Sequence, residues 1–141
     1  MKNKYFVILG IVVFTVLLVV VIERTTLPQT TPVMIEEAVD YGERIEKAQP
    51  PEEFAYDGCT FFVDSLMLSD FRGPCLRHDI AYWHGGTKEE RREADKILRE
   101  EMIQSGLCGK IVAYPAYFAV RLFGDTFITK SVNANWGYGW D

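Results

Sequence analysis

The sequence predicts a mainly α-helical chain, with two central antiparallel helices beside a long loop, carried behind an N-terminal transmembrane helix. Three observations predict it. An uncharged run of 18 residues, Tyr5 to Ile22, follows Lys2 and Lys4. Two stretches of helical character, Cys75 to Trp83 and Lys88 to Gln104, meet at the break His84-Gly85-Gly86-Thr87. Ahead of them, Glu52 to Gly73 has no sustained period and holds the turn-prone Asp57-Gly58, Asp64-Ser65 and Arg72-Gly73-Pro74.

The N-terminal run is rich in Val, Ile and Leu. As a helix it would be about 27 Å long, close to the roughly 30 Å hydrocarbon core of a bilayer. No small-residue cleavage site follows it, and the chain leaves through Val21-Ile22-Glu23-Arg24. It therefore reads as an uncleaved signal anchor, residues 1–24. The two lysines keep the N-terminus cytoplasmic and place the remainder outside the cytoplasm, as a single-pass membrane protein. Residues 25–32, TTLPQTTP, suit an extended linker. Residues 33–141 form the extracytoplasmic domain.

Within that domain, Val33 to Ala48 spaces its apolar residues as a short amphipathic helix, ended by Gln49-Pro50-Pro51. The loop from Glu52 to Gly73 follows; long loops inside compact domains are uncommon and often functional. Pro74 suits the first turn of the helix over Cys75–Trp83. Thr87-Lys88-Glu89-Glu90 matches a capping box and starts the next helix. Ala94, Ile97, Leu98 and Met102 form its apolar stripe, and Gly106 stops it. A further helix covers about Lys110 to Phe123, with Pro115 near its first turn. Tyr114, Tyr117, Phe118, Phe123 and Phe127 read as core, with lipid contact as the alternative. The tail, Trp136-Gly137-Tyr138-Gly139-Trp140, is expected to be irregular. Its aromatic residues suit either a rim at the membrane interface or a tail folded over an apolar patch.

The net charge of −5 argues against a nucleic-acid partner, which needs clustered Lys and Arg. It makes no such argument against lipid, which apolar contact and a bound cation can recognise. The three cysteines, Cys59, Cys75 and Cys108, permit one disulfide outside the cytoplasm and leave one thiol over. Cys108 reads most simply as a lone buried thiol, with pairing to another chain as the alternative. No CxxC occurs, which argues against zinc of the usual spacing.

The chemistry centres on His78 and Asp79. Counting outward from the Gly-Gly hinge, His78 and Asp95 fall at similar height, each roughly 12 Å from it. If their faces agree, an imidazole opposes a carboxylate across the helix interface, with Tyr82 one turn after His78 on the same face. The carboxylate would fix the tautomer and leave the other ring nitrogen free as a general base. Spacing alone leaves a blander alternative open, a solvated Asp95 and a satisfied interior His78. Asp79 points about 100° away from His78 and could face Asp57. Two carboxylates with loop carbonyls suit Ca²⁺; an ordinary ion pair with Arg72 or Arg77 is the alternative. His84 reads as a helix-end residue that bonds carbonyls.

Asp57-Gly58-Cys59, then fifteen residues, then Cys75-Leu76-Arg77-His78-Asp79 and Tyr82, resemble the secreted phospholipases A2. The likeness is to the short bacterial and fungal branch, with its DGC loop and C-x-x-H-D helix, and covers about residues 54–104. It implies a phospholipase A2-like core. It implies His78 as the base that activates water on the sn-2 ester, Asp95 orienting it and Tyr82 supporting Asp95. It implies Ca²⁺ held by Asp79, Asp57 and a main-chain carbonyl near Gly58, and a disulfide between Cys59 and Cys75. Phe61-Phe62-Val63 stands where animal enzymes carry a glycine-rich calcium loop, and much of residues 105–141 matches nothing assignable in that family. The expected function is Ca²⁺-dependent hydrolysis of a glycerophospholipid at a membrane. The alternative is an inactive phospholipase A2-like module that binds lipid or protein at the cell envelope.

Overall fold

A computed structural model describes residues 30–56, 58–59, 64–66, 69–130 and 134–140. The span read over Tyr5–Ile22 lies outside them, as does the stretch Phe61-Phe62-Val63. Among the described residues no helix is long and apolar enough to cross a membrane. The described chain is mainly helical. Helix α1 covers Pro32–Arg44, and a two-residue hairpin pairs β1 (Ser65–Leu66) with β2 (Ser69–Asp70). Helices α2 (Arg72–His84), α3 (Lys88–Gln104) and α4 (Leu107–Phe123) follow, then a short α5 (Phe127–Lys130) and a 3₁₀ turn over Tyr138–Trp140.

Helix α1 starts where Thr31 accepts from the Met34 amide, with Pro32 at the first position. It stops four residues before the expected end at Ala48. Glu46 takes φ +55°, and the amides of Glu46 and Lys47 return to the carbonyls of Glu43 and Gly42 at 3.2 and 2.9 Å. That is a Schellman closure made without glycine, so no local signal marks it. Lys47 is drawn to the Gly85 carbonyl at 2.6 Å and to Glu90 at 2.9 Å.

Helix α2 begins at Arg72, three residues before the expected start, with Pro74 in its first turn as read. The Asp70 carboxylate accepts from the Arg72 amide and guanidinium. The predicted loop thus ends in a hairpin and an extra helical turn. Helix α3 has the predicted bounds and its capping box: Thr87 N–H donates to Glu90 at 2.7 Å and Glu90 N–H to Thr87 at 3.1 Å. Its buried stripe differs from the expectation. Leu98 and Met102 are inside, but Ile97 is exposed and Asp95 is fully buried. A carboxylate with enough partners displaces an apolar side chain from the inner face.

Helix α4 starts at Leu107, three residues early, so Pro115 lies in mid-helix and not in the first turn. In α-helical geometry it leaves the Ile111 carbonyl without an intrahelical donor, and both residues are exposed to solvent. The aromatic residues expected in the core divide. Tyr117 is half-buried, whereas Tyr114, Phe118 and Phe123 are each more than half exposed. The Phe127 side chain lies outside what is described.

Helices α2 and α3 run antiparallel. Arg77 meets Glu101, His78 meets Asp95 and Tyr82 meets Arg91, so the partner's number falls as the residue's own number rises. Two apolar clusters use α2. One gathers Ala38, Phe54, Tyr56, Ile80, Tyr82, Trp83 and Tyr138. The other gathers Cys59, Phe71, Cys75, Leu98, Met102, Ala113 and Ala116.

The aromatic tail closes over the hinge. Trp136 Nε1 donates to the Gly86 carbonyl and Trp140 Nε1 to the His84 carbonyl, both at 2.9 Å, and the Tyr138 hydroxyl to Ala55 at 3.0 Å. Of the two readings of the tail, the folded cover fits these bonds. Backbone meets backbone there. A Cβ on Gly85 would stand 2.5 Å from Gly137 Cα, and Gly85 has φ +61° and ψ −157°. That region is nearly closed to side chains and costs about 1–3 kcal/mol. Gly85→Ala should therefore destabilise the domain by at least about 2 kcal/mol, read from the urea unfolding midpoint. An unchanged midpoint would mean that the tail does not press on the hinge.

Candidate functional site

Helix α2 carries His78 and Tyr82 one turn apart, and α3 carries Asp95 opposite them. His78 Nε2 lies 2.9 Å from Asp95 Oδ1, and the Tyr82 hydroxyl donates to the same oxygen at 2.8 Å. The other carboxylate oxygen, Oδ2, accepts from Arg121 Nη1 at 2.7 Å. Asp95 is 0 % exposed and His78 8 %. The equal-height geometry read from the hinge is realised, and the blander alternative of a solvated Asp95 is not.

Burial on its own would raise the Asp95 pKa. Hydrogen bonds from His78 and Arg121 outweigh it and hold the carboxyl below its usual range. Burial would also lower the His78 pKa, but its contacts with Asp79 and Asp95 outweigh that and raise it. Burial, then the Asp95 charge, pushes the Tyr82 hydroxyl well above the usual phenol range, so it remains a donor. With Asp95 ionised and accepting from Nε2–H, the neutral imidazole carries its lone pair on Nδ1. That nitrogen lies 3.9 Å from Asp79 Oδ1.

Two arginines that sequence reasoning misses complete the network. Arg121 on α4 pairs with Asp95. Arg91 on α3 donates to the Tyr82 hydroxyl at 3.3 Å and to the carbonyls of Val120 and Arg121 at 3.0 and 3.3 Å. Both carry a signal. Arg91 stands one turn before Asp95 on the same face, and Arg121 is an isolated cation in an otherwise apolar stretch.

The Cys59–Cys75 disulfide is present, with Cα atoms 5.2 Å apart. Cys75 is one turn before Asp79 on α2, so the bridge fastens the neighbour of Gly58 to the face that carries Asp79. Gly58 has φ +82°, and a Cβ there would stand 2.6 Å from Asp64 Oδ1. The same oxygen accepts from the Cys59 amide at 2.9 Å, while the Asp64 carbonyl accepts from the Phe71 amide at 2.8 Å. Asp64, which the sequence marks only as a turn residue, organises this loop. Asp57 lies outside the described residues. Among the described residues no group of three or more His, Cys, Asp or Glu side chains converges as a metal site. A site that takes one or two carboxylates and otherwise carbonyls would form no such group. The oxygen donors near the bridge, Asp79 and the Gly58 main chain, are of the hard type Ca²⁺ takes.

Cys108 is a free, half-buried thiol. His84 does bond a carbonyl, but that of Ala38 in α1 at 2.8 Å. Comparison with protein-family models, curated proteins and solved structures finds no match for this chain.

Proposed function

We propose that the domain is a phospholipase A2-like ester hydrolase that uses His78 as general base on a glycerophospholipid acyl ester. One observation carries the reading. A buried His–Asp pair at 2.9 Å leaves Nδ1 as the basic nitrogen, and a Tyr hydroxyl and an Arg lock the carboxylate in place. Such a base takes a proton from water as the water attacks a carbonyl, and the imidazolium so formed lies against the ionised Asp95. The proton then passes to the leaving alkoxide.

Calcium would be held by Asp79, Asp57 and the Gly58 carbonyl. When bound it would polarise the ester carbonyl and offset the developing oxyanion charge. The membrane anchor read from the sequence would keep the domain, outside the cytoplasm, beside its substrate.

The test uses the full chain in phospholipid mixed micelles with Ca²⁺, following fatty acid release. His78→Gln should lower the rate by at least about 10²-fold, with the circular dichroism spectrum retained. Equal release by the variant would refute the mechanism. Ca²⁺-dependent lipid binding without release by the native chain would leave the inactive binding module as the reading.

A further inference from the structure

The outward face of α4 is a continuous apolar strip. Leu107, Ile111, Tyr114, Phe118 and Leu122 follow one another at three- or four-residue steps and are each more than half exposed. That spacing places them on one side of the helix. Lys110, Pro115 and Ala119 lie among them, also exposed. Scattered surface apolar residues are ordinary, but a strip running the length of a helix marks an interaction site. Helix α4 has no acidic residue, in a chain of net charge −5; of its two cations, Arg121 is paired with the buried Asp95 and Lys110 stands exposed beside the strip.

We propose that this face of α4 docks on a phospholipid bilayer, lying in the plane between headgroups and acyl chains. Three considerations select lipid. The strip is one helix face about 25 Å long, the shape of an amphipathic helix that lies in the plane of a bilayer surface, where binding grows with whatever apolar area is buried. The basic charge beside it, Lys110, draws it to anionic headgroups. Finally, Thr31, the cap of α1, follows Ile22, the end of the apolar run read as an anchor, by only nine positions. That stretch spans at most about 30 Å, comparable with the width of a domain of about 13 Å radius of gyration. A domain so tethered is confined within that distance of lipid. Docking rests on that anchor but not on hydrolysis.

The test reconstitutes the full chain in vesicles of phosphatidylcholine with phosphatidylglycerol, with chelator present so that lipid stays intact. Cys108→Ser removes the free thiol. A nitroxide is then placed through Ile111→Cys or Phe118→Cys, and through Glu43→Cys on exposed α1 as the reference. Docking predicts that the labels at 111 and 118 are relaxed by oxygen and shielded from a nickel chelate, with the order reversed at 43. Leu122→Asp with Ile111→Asp should return the label at 118 to water. Vesicle flotation with an aqueous label at 118 overturns docking and leaves the anchor standing. Shielding from both relaxants, or strong coupling between labels, overturns it in favour of a protein cover, the chain's own N-terminal segment or a second copy. Failure to float with vesicles overturns anchor and docking together.

Discussion

Asp95→Ala should lower the stability of the domain by about 3–5 kcal/mol, a large part of the 5–15 kcal/mol typical of a domain. Asp95 accepts three charged or polar donors inside the protein: His78 and Tyr82 on Oδ1, and Arg121 on Oδ2. Alanine leaves all three without this acceptor, with an arginine now unpaired beside a cavity. Unpaired buried donors cost about 1–3 kcal/mol each. Asp95→Asn should cost less, about 1–3 kcal/mol, because one side-chain oxygen survives. If that oxygen serves His78 and Tyr82, the amide nitrogen faces the Arg121 donor. Urea unfolding measured on the two variants would order them. Equal midpoints for the Asp95→Ala variant and native protein would refute the network's structural role.

The same carboxylate sets a pH dependence. Its pKa is depressed in the folded state, so its contribution is present above the unfolded value, about 3.9. It is lost as pH falls below that toward the folded value. The native protein should lose stability over that acid range more steeply than the Asn variant. Parallel curves would show that folding leaves the Asp95 pKa where it stands in the unfolded chain.

Much of this network is legible in the sequence because it depends on local geometry. A Gly-Gly hinge flanked by two helices fixes which residues sit at equal height, and His78 and Asp95 do. The capping box of Thr87 and Glu90 and the bounds of α3 follow from short-range signals in the same way. Helix ends set by long-range contacts are less legible. Helix α1 ends at a left-handed Glu46 whose neighbour Lys47 is held by Gly85 and Glu90, residues far along the chain. The buried stripe of α3 departs from its apolar periodicity because that periodicity counts only apolar residues. Asp95 occupies an inner position by virtue of partners on two other helices. The strip on α4 mimics a core face for a related reason. Apolar spacing predicts that a face is covered, and cannot say by what.

Removing the Cys59–Cys75 bridge should have the second large effect. The cysteines are 16 residues apart, a loop whose closure restricts the unfolded chain by roughly 3 kcal/mol. Cys59→Ala with Cys75→Ala should lower the melting temperature by roughly 10–20 °C in a domain of this size. The loss should fall hardest on the loop. Within the second cluster, Phe71, Leu98 and Met102 keep their own apolar contacts, whereas Cys59 without its sulfur is tied mainly through its amide to the Asp64 carboxylate. Amide exchange should therefore accelerate more around Gly58–Asp64 than at Asp95 or Leu98. Single replacements carry a further hazard, since either one frees a second thiol alongside Cys108. Non-reducing electrophoresis of Cys59→Ala or Cys75→Ala should show dimers that the double variant, with its one half-buried thiol, forms less readily. A double variant that melts with native protein would mean the bridge constrains little that the rest of the fold does not already hold.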